Sequence, residues 1–340
     1  MTSYYEDPTF NNCDSIKYGV VLNDINWENF SEEINLSGWI LSKASAEEAA
    51  VCKKEISKYS LINYGNNPRQ EIQFIDCGNG VCDLSPLLDS NLWRYTVIRR
   101  TSEAKLKDLQ LSEATLISDI NLFVEIWYMK DSQLPSMRIT NASYRHCVQY
   151  FLAYEFTKVL SKLDIKHLQD VVALRAKFDD AKYPVIITAI QMFRELQTIP
   201  PSLVKILGYF SLIESLLSHA PSPNDSIGSI TRQLQRNLTF IHNRLSDGYN
   251  LGLNEFGDMT TDKVISRLYS YRSMIAHGGT STKDLDLLVE VHKENEGKLW
   301  VETGSQWAER FIRRLIKRVL VYALREPSIV LDLKGISYKK

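Results

Sequence analysis

The chain has 340 residues, with 40 Lys and Arg against 41 Asp and Glu, and 44% of it is hydrophobic. That mixture excludes disordered, collagen-like and coiled-coil classes, and the length allows two domains with cores of their own. No apolar run approaches the roughly 18 residues that a membrane-spanning helix needs. Met1–Asp7 lacks the basic and apolar regions of a secretory leader. Five cysteines in so long a chain fit a reducing compartment better than a disulfide framework. A cytoplasmic protein without a membrane partner is therefore expected.

The near-zero net charge of −1 hides a division. Residues 1–140 carry 13 Lys and Arg against 20 Asp and Glu, whereas residues 141–340 carry 27 against 21. A sign change between halves points to separate modules, the basic one suited to an anionic partner.

In chain order, the N-terminal part reads as mixed α and β. Lys17–Leu22, Glu71–Asp76, Trp93–Arg99 and Leu122–Met129 are short runs rich in β-branched and aromatic residues, and each predicts a strand. Ser45–Tyr59 is built of good helix formers. Cys77-Gly-Asn-Gly-Val-Cys82 contains the Asn-Gly signal of a type I′ hairpin, which predicts the two cysteines opposite each other; the geometry allows a redox bond, and a reducing compartment favours two free thiols. Asp131–Ser143 is polar and contains a proline, which predicts a boundary at 135–143. Beyond it, apolar residues recur at three-to-four spacing in Tyr144–Leu163, Lys166–Asp180, Pro184–Gln197, Ser202–His219, Ile227–Leu245, Thr261–Ala276 and Gly304–Arg325. Pro200-Pro201 is placed in the first turn of one helix, and Gly278-Gly279 at the end of another. The fold class expected is α+β: a mixed N-terminal domain over 1–138, then an all-α helical bundle over 144–340.

Thr261–Gly279 carries the chemistry. Val264, Ile265, Leu268, Tyr271 and Ile275 form an apolar stripe, and Arg272, Ser273 and His277 lie off it. At ~100° per residue Ser273 and His277 fall on one line, while Arg272 stands about 140° from His277. Read alone, such an Arg and His are a surface cation and a helix cap. Arg272-Ser-Met-Ile-Ala-His277, however, resembles the R-x4-6-H signature of the HEPN superfamily. The longer string Leu268–Gly278 is similar to the ApeA-like branch of bacterial defence proteins. Upstream, Tyr209-Phe-Ser-Leu-Ile-Glu-Ser-Leu-Leu217 resembles that branch's acidic helix, with Glu214 in the acidic position. The likeness covers about 185–325.

That resemblance implies a metal-independent endoribonuclease acting as a homodimer, without a cofactor. It would serve as effector of an anti-phage defence or toxin system, with a phage-derived trigger or cognate regulator. Arg272, Ser273, His277 and Glu214 are the candidate catalytic residues. Attack by a ribose 2′-OH requires a proton to be moved at near-neutral pH, which suits an imidazole. The charge developing on phosphorus requires a fixed cation, which suits a guanidinium. His277 is thus read as general acid/base and Arg272 as phosphate clamp. Ser273 is a hydrogen-bonding aid, and Glu214 an orienter of Arg272 or a helix-packing partner. The alternative is a catalytically silent module of the same fold that binds a protein or a nucleotide.

Two basic sets are candidates for RNA binding. Gln306–Arg325 carries Arg310, Arg313, Arg314, Lys317 and Arg318 opposite Phe311, Ile312, Leu315, Ile316 and Val319. Arg232, Arg236 and Arg244 form a second, weaker set on Ile227–Leu245. The histidines and cysteines make no metal-ligand spacing, and phosphate-loop, dinucleotide-binding and serine-hydrolase motifs are absent from the sequence.

Overall fold

The β-branched runs of the first half pair as an antiparallel sheet, and the periodic runs of the second half form helices, in a computed structural model of the chain. It describes residues 16–21, 25, 27, 33–57, 71–76, 82–89, 92–118, 126–129, 135–137, 160–219, 229–245, 250–279, 282–296 and 303–335. The chain divides into two compact units, Met1–Lys177 and Phe178–Lys340. The division therefore falls after Lys177 rather than at 135–143.

In the first unit the described strands are β1 (Ile16–Val21), β2 (Glu33–Leu36), β3 (Trp39–Lys43), β4 (Ile72–Asp76), β5 (Cys82–Pro86), β6 (Thr96–Arg100), β7 (Ile126–Met129) and β8 (Pro135–Met137). Six of them form one sheet in the order β2-β3-β6-β1-β7-β8, and β4 pairs with β5 separately. Strand β2 alternates exposed and buried residues, so Ile34 and Leu36 face the core. The β2–β3 hairpin turns on Ser37 (φ 51°) and Gly38 (φ 89°), the two positive-φ positions of a type I′ turn. A Cβ at Gly38 would stand 2.5 Å from the Ala104 backbone, so glycine is required there twice over. Strand β8 lies inside the expected linker and pairs with β7 at the sheet edge, where the missing N–H of Pro135 costs least. The β4–β5 register sets Cys82 opposite Asp76, one position away from the expected Cys77–Cys82 pairing; Cys77 lies outside the described residues.

Helix α1 (Ala46–Ser57) matches its prediction closely, whereas α2 (Asp108–Ile117) is not predicted. Helix α3 (Lys162–Lys177) begins at a Ser161 cap, whose Oγ accepts from the Asp164 amide at 3.2 Å. The predicted helix over Tyr144–Leu163 falls mostly outside the described residues, and Leu160 bridges Ile25 instead. Helix α3 packs on α2 and joins it through Arg175–Glu113, a 3.1 Å ion pair with both side chains buried. Helix α3 also packs on β2, so its contacts lie within the first unit.

The second unit is helical: α4 (Pro184–Gln197), α5 (Leu203–Leu217), α6 (Ile230–Arg244), α7 (Thr261–Ala276), α8 (Lys283–Glu296), α9 (Gly304–Arg325) and α10 (Pro327–Leu333). Helix α8 is not predicted, and Pro327 opens a helix rather than following the last one. Ser202 is the N-cap of α5, so Pro200-Pro201 precede that helix instead of occupying its first turn. Helix α5 is the hub, packing against α4, α6, α7, α9 and α10. Ile206, Tyr209, Phe210, Leu212, Ile213, Leu216 and Leu217 are buried there. Its two charged residues are Lys205 and Glu214. Lys205 Nζ stands 3.0 Å from Glu309 Oε1 of α9, with the two side chains only 3% and 4% exposed.

A buried charge left without its partner is costly. Lys205→Ala is expected to lower the unfolding free energy by about 3–5 kcal/mol, and Lys205→Met combined with Glu309→Leu to recover most of that loss. Urea denaturation of the three chains checks this, and equal losses in the single and double variants would contradict it.

Candidate functional site

Helix α7 buries Val264, Ile265, Leu268 and Tyr271, the expected stripe, and leaves Ile275 half-buried. Off the stripe, Arg272 Nε lies 3.2 Å from Glu214 Oε1 of α5, with side-chain exposures of 31% and 18%. Two candidates more than fifty positions apart in sequence are thus brought together. The same Glu214 Oε1 accepts a 2.6 Å hydrogen bond from the Tyr269 hydroxyl. The Tyr269 ring meets Phe210 edge-on, centroids 5.6 Å apart. Phe210 and Glu214 stand one turn apart on α5, so a single helical face offers an aromatic and a carboxylate matched to the two ends of Tyr269. Burial, and then the bond to Glu214, push the Tyr269 phenol far up, so it remains a donor. Sequence reasoning misses Tyr269; its signal is the i, i+3 spacing to Arg272, which places both on one face.

His277 and Ser273 stand apart from this trio. Both are exposed, and among the described residues neither side chain has a hydrogen bond or ion pair. His277 is the C-cap of α7. Gly278 follows with φ +69°, and its amide bonds to the Ile275 carbonyl at 3.2 Å, while the Gly279 amide bonds to Met274 at 2.9 Å. These are the two bonds of a Schellman motif. The His277 backbone is therefore fixed by main-chain geometry.

The two basic sets exchange the places expected of them. On α9, Lys317 is only 5% exposed and is withdrawn from any phosphate, because α9 turns that face toward its neighbours. Arg314 pairs with Glu255 and lies over the Phe311 ring at 5.3 Å, and Arg318 donates to the Asn250 carbonyl. Arg310 and Arg313 are half-buried and engaged. Two members of the dense stripe, Arg314 and Arg318, thus hold the irregular segment 250–260. On α6, by contrast, Arg232, Arg236 and Arg244 are exposed.

Segment 250–260 is anchored by charge as well as by Leu251, Leu253 and Phe256, all fully buried. Glu255 Oε2 lies 3.1 Å from His292 Nε2 of α8, and the Leu251 amide bonds to His242 Nδ1 at 3.3 Å. Burial alone raises the Glu255 carboxyl, but the His292 bond and the Arg314 charge outweigh it and hold the group below the usual carboxylate range. Burial, aided by Arg318, holds His242 below the usual histidine range. Among the described residues no group of three or more His, Cys, Asp and Glu is placed to hold a metal ion, and no helix is long and apolar enough to cross a membrane.

No protein-family model, curated protein or solved structure matches the chain.

Both shifts have one sign for stability. A His whose folded pKa is depressed contributes above its unfolded value of about 6.5, and that contribution is lost as pH falls; a depressed carboxylate does the same below about 4.3. Unfolding free energy should therefore fall first as pH drops below ~6.5 through His242, then as it drops below ~4.3 through Glu255. His242→Gln should flatten the first interval and Glu255→Gln the second in denaturation at stepped pH. Unchanged slopes would refute the assignment.

Proposed function

We propose that the chain is a metal-independent endoribonuclease of HEPN type, the effector of an anti-phage defence or toxin system, working in the cytoplasm as a homodimer. The observation that carries this reading is the contact of Arg272 with Glu214, which the resemblance joins only as two separate motifs. Glu214 Oε1 lies 3.2 Å from Arg272 Nε while the Arg272 side chain keeps 31% of its surface exposed, open to an anion. Tyr269 donates to the same Glu214 oxygen, which fixes the carboxylate that orients the guanidinium. His277 lies five residues on, its ring exposed to a substrate.

In this mechanism the ribose 2′-oxygen attacks the adjacent phosphorus and gives up its proton, which His277 takes. Arg272 meets the negative charge that gathers on the non-bridging oxygens. The bond from phosphorus to the 5′-oxygen breaks, and His277 returns the proton to that oxygen. The products are a 2′,3′-cyclic phosphate and a 5′-hydroxyl. Ser273, on the line of His277, supplies a hydrogen bond to the phosphate.

A second reading, a silent module that binds a protein or a nucleotide, draws on the same geometry. Arg272 already has an ionic partner, and the His277 ring has none among the described residues. Incubation with RNA in EDTA separates the two. Cleavage at full rate in EDTA is expected, with losses of about 10²–10⁴-fold for His277→Ala and about 10²-fold or more for Arg272→Lys. Tyr269→Phe should cost less than Arg272→Lys while leaving the pH profile of cleavage in place. No cleavage by the wild type, or full activity of His277→Ala, would leave the silent module as the better reading.

A further inference from the structure

Helix α6 presents an unusual surface. Its sequence from Ile230 to Arg244 contains no Asp or Glu. Its buried side is Gln233, Leu234, Asn237, Leu238 and Ile241. On the exposed side Arg232, Arg236, Phe240 and Arg244 follow one another at four-residue spacing, about 6 Å apart along the axis. Phe240 is 37% exposed, among the few large apolar side chains of the described residues left so open. The Arg244 guanidinium lies 5.3 Å from its ring centroid, and Arg244 also interacts with Tyr322. Arg236 Nε bonds to Asn237 Oδ1 at 3.1 Å, and the residue remains exposed. Beside the stripe, Gln235 and Thr239 reach Thr261 and Asp262, the first residues of α7. Among the described residues, Asp262 is an acid that borders this face.

From this we infer that the exposed face of α6 is a binding platform for single-stranded nucleic acid: Phe240 stacks a base, and Arg236 and Arg244 hold the phosphates on either side of it. Three properties select that occupant. Cations without acids on the same helix attract a phosphate backbone. An exposed aromatic between them offers the π-face that an unpaired base needs, whereas a duplex keeps its bases stacked on one another. The ring is also too isolated to make an apolar docking face for a protein, since its neighbours along the stripe are arginines. Helix α6 packs on α7, so the strand would lie along the helix adjoining Arg272. The inference deepens the ribonuclease reading by assigning where the strand is held, but it is tested on binding alone.

The test uses the full chain and a fluorescent single-stranded oligonucleotide whose riboses are all 2′-O-methylated, so that no 2′-OH attack can consume it. Anisotropy should show binding that weakens with salt. Phe240→Ala should weaken it about tenfold or more with an unchanged circular-dichroism spectrum, and Phe240→Trp should retain it. Arg236→Gln with Arg244→Gln should weaken binding and reduce the salt slope by about one for each phosphate no longer neutralised. Absence of binding, equal binding by Phe240→Ala, or equal binding of the matching duplex would overturn the inference. So would a Phe240→Ala chain that loses self-association while holding the oligonucleotide unchanged, because the face would then join two copies. Binding without cleavage of ordinary RNA would retain the platform and remove the nuclease; cleavage with no effect of Phe240→Ala would do the reverse.

Discussion

A helix packed against five others has little water in which to leave a charge, and α5 carries two. Lys205 and Glu214 lie nine positions apart on it, and each is answered by a neighbour, Glu309 of α9 and Arg272 of α7. These pairs are a constraint more than a source of stability, because desolvation consumes much of the Coulombic gain. What they supply is register. If α9 slid one turn along α5, Lys205 and Glu309 would each be left buried without its partner, at several kcal/mol each. The arrangement of the second unit therefore follows from where α5 keeps its charges.

The two pairs differ in a way that separates scaffold from site. Lys205–Glu309 is closed from solvent, whereas Glu214–Arg272 is partly open. The open pair carries a third member, Tyr269, held by Phe210 from the same face of α5. A single helix thus presents a sealed ion pair toward one end and an accessible one toward the other. Segment 250–260 repeats the theme at the surface, where cations from α9 and imidazoles from α6 and α8 surround Glu255.

Much of this is legible in the sequence. Thr261–Ala276 and Pro184–Gln197 can be read to the residue, because proline, glycine and threonine mark their ends where periodicity begins and stops. Helix α8 escapes because Lys, Asp and Glu dominate it, although Leu285, Leu288 and Val289 sit buried at helical spacing. The β2–β3 hairpin escapes because its strands are short and its two-residue turn is Ser-Gly rather than Asn-Gly. The division after Lys177 cannot be read locally, since α3 packs on α2 and β2, and its Arg175 meets Glu113 sixty-two positions earlier. The candidate site shows the same limit. Sequence motifs locate Arg272 and Glu214, but only the packing of α5 on α7 shows that they touch and that Tyr269 joins them. Charge counting ranks α9 above α6; folding reverses the order, because a loop returns over α9 while α6 keeps its arginines outside.

The end of α7 has a consequence for any ligand that engages both Arg272 and His277. The guanidinium arrives with its orientation already limited by a carboxylate. The imidazole has a Cα fixed by two main-chain hydrogen bonds but a ring free to turn about two torsions. Ordering such a side chain falls within the range of about 0–2 kcal/mol, and that entropy is lost when the ligand docks rather than when the chain folds. Half of the pair is thus set in advance, and the other half is settled only on encounter.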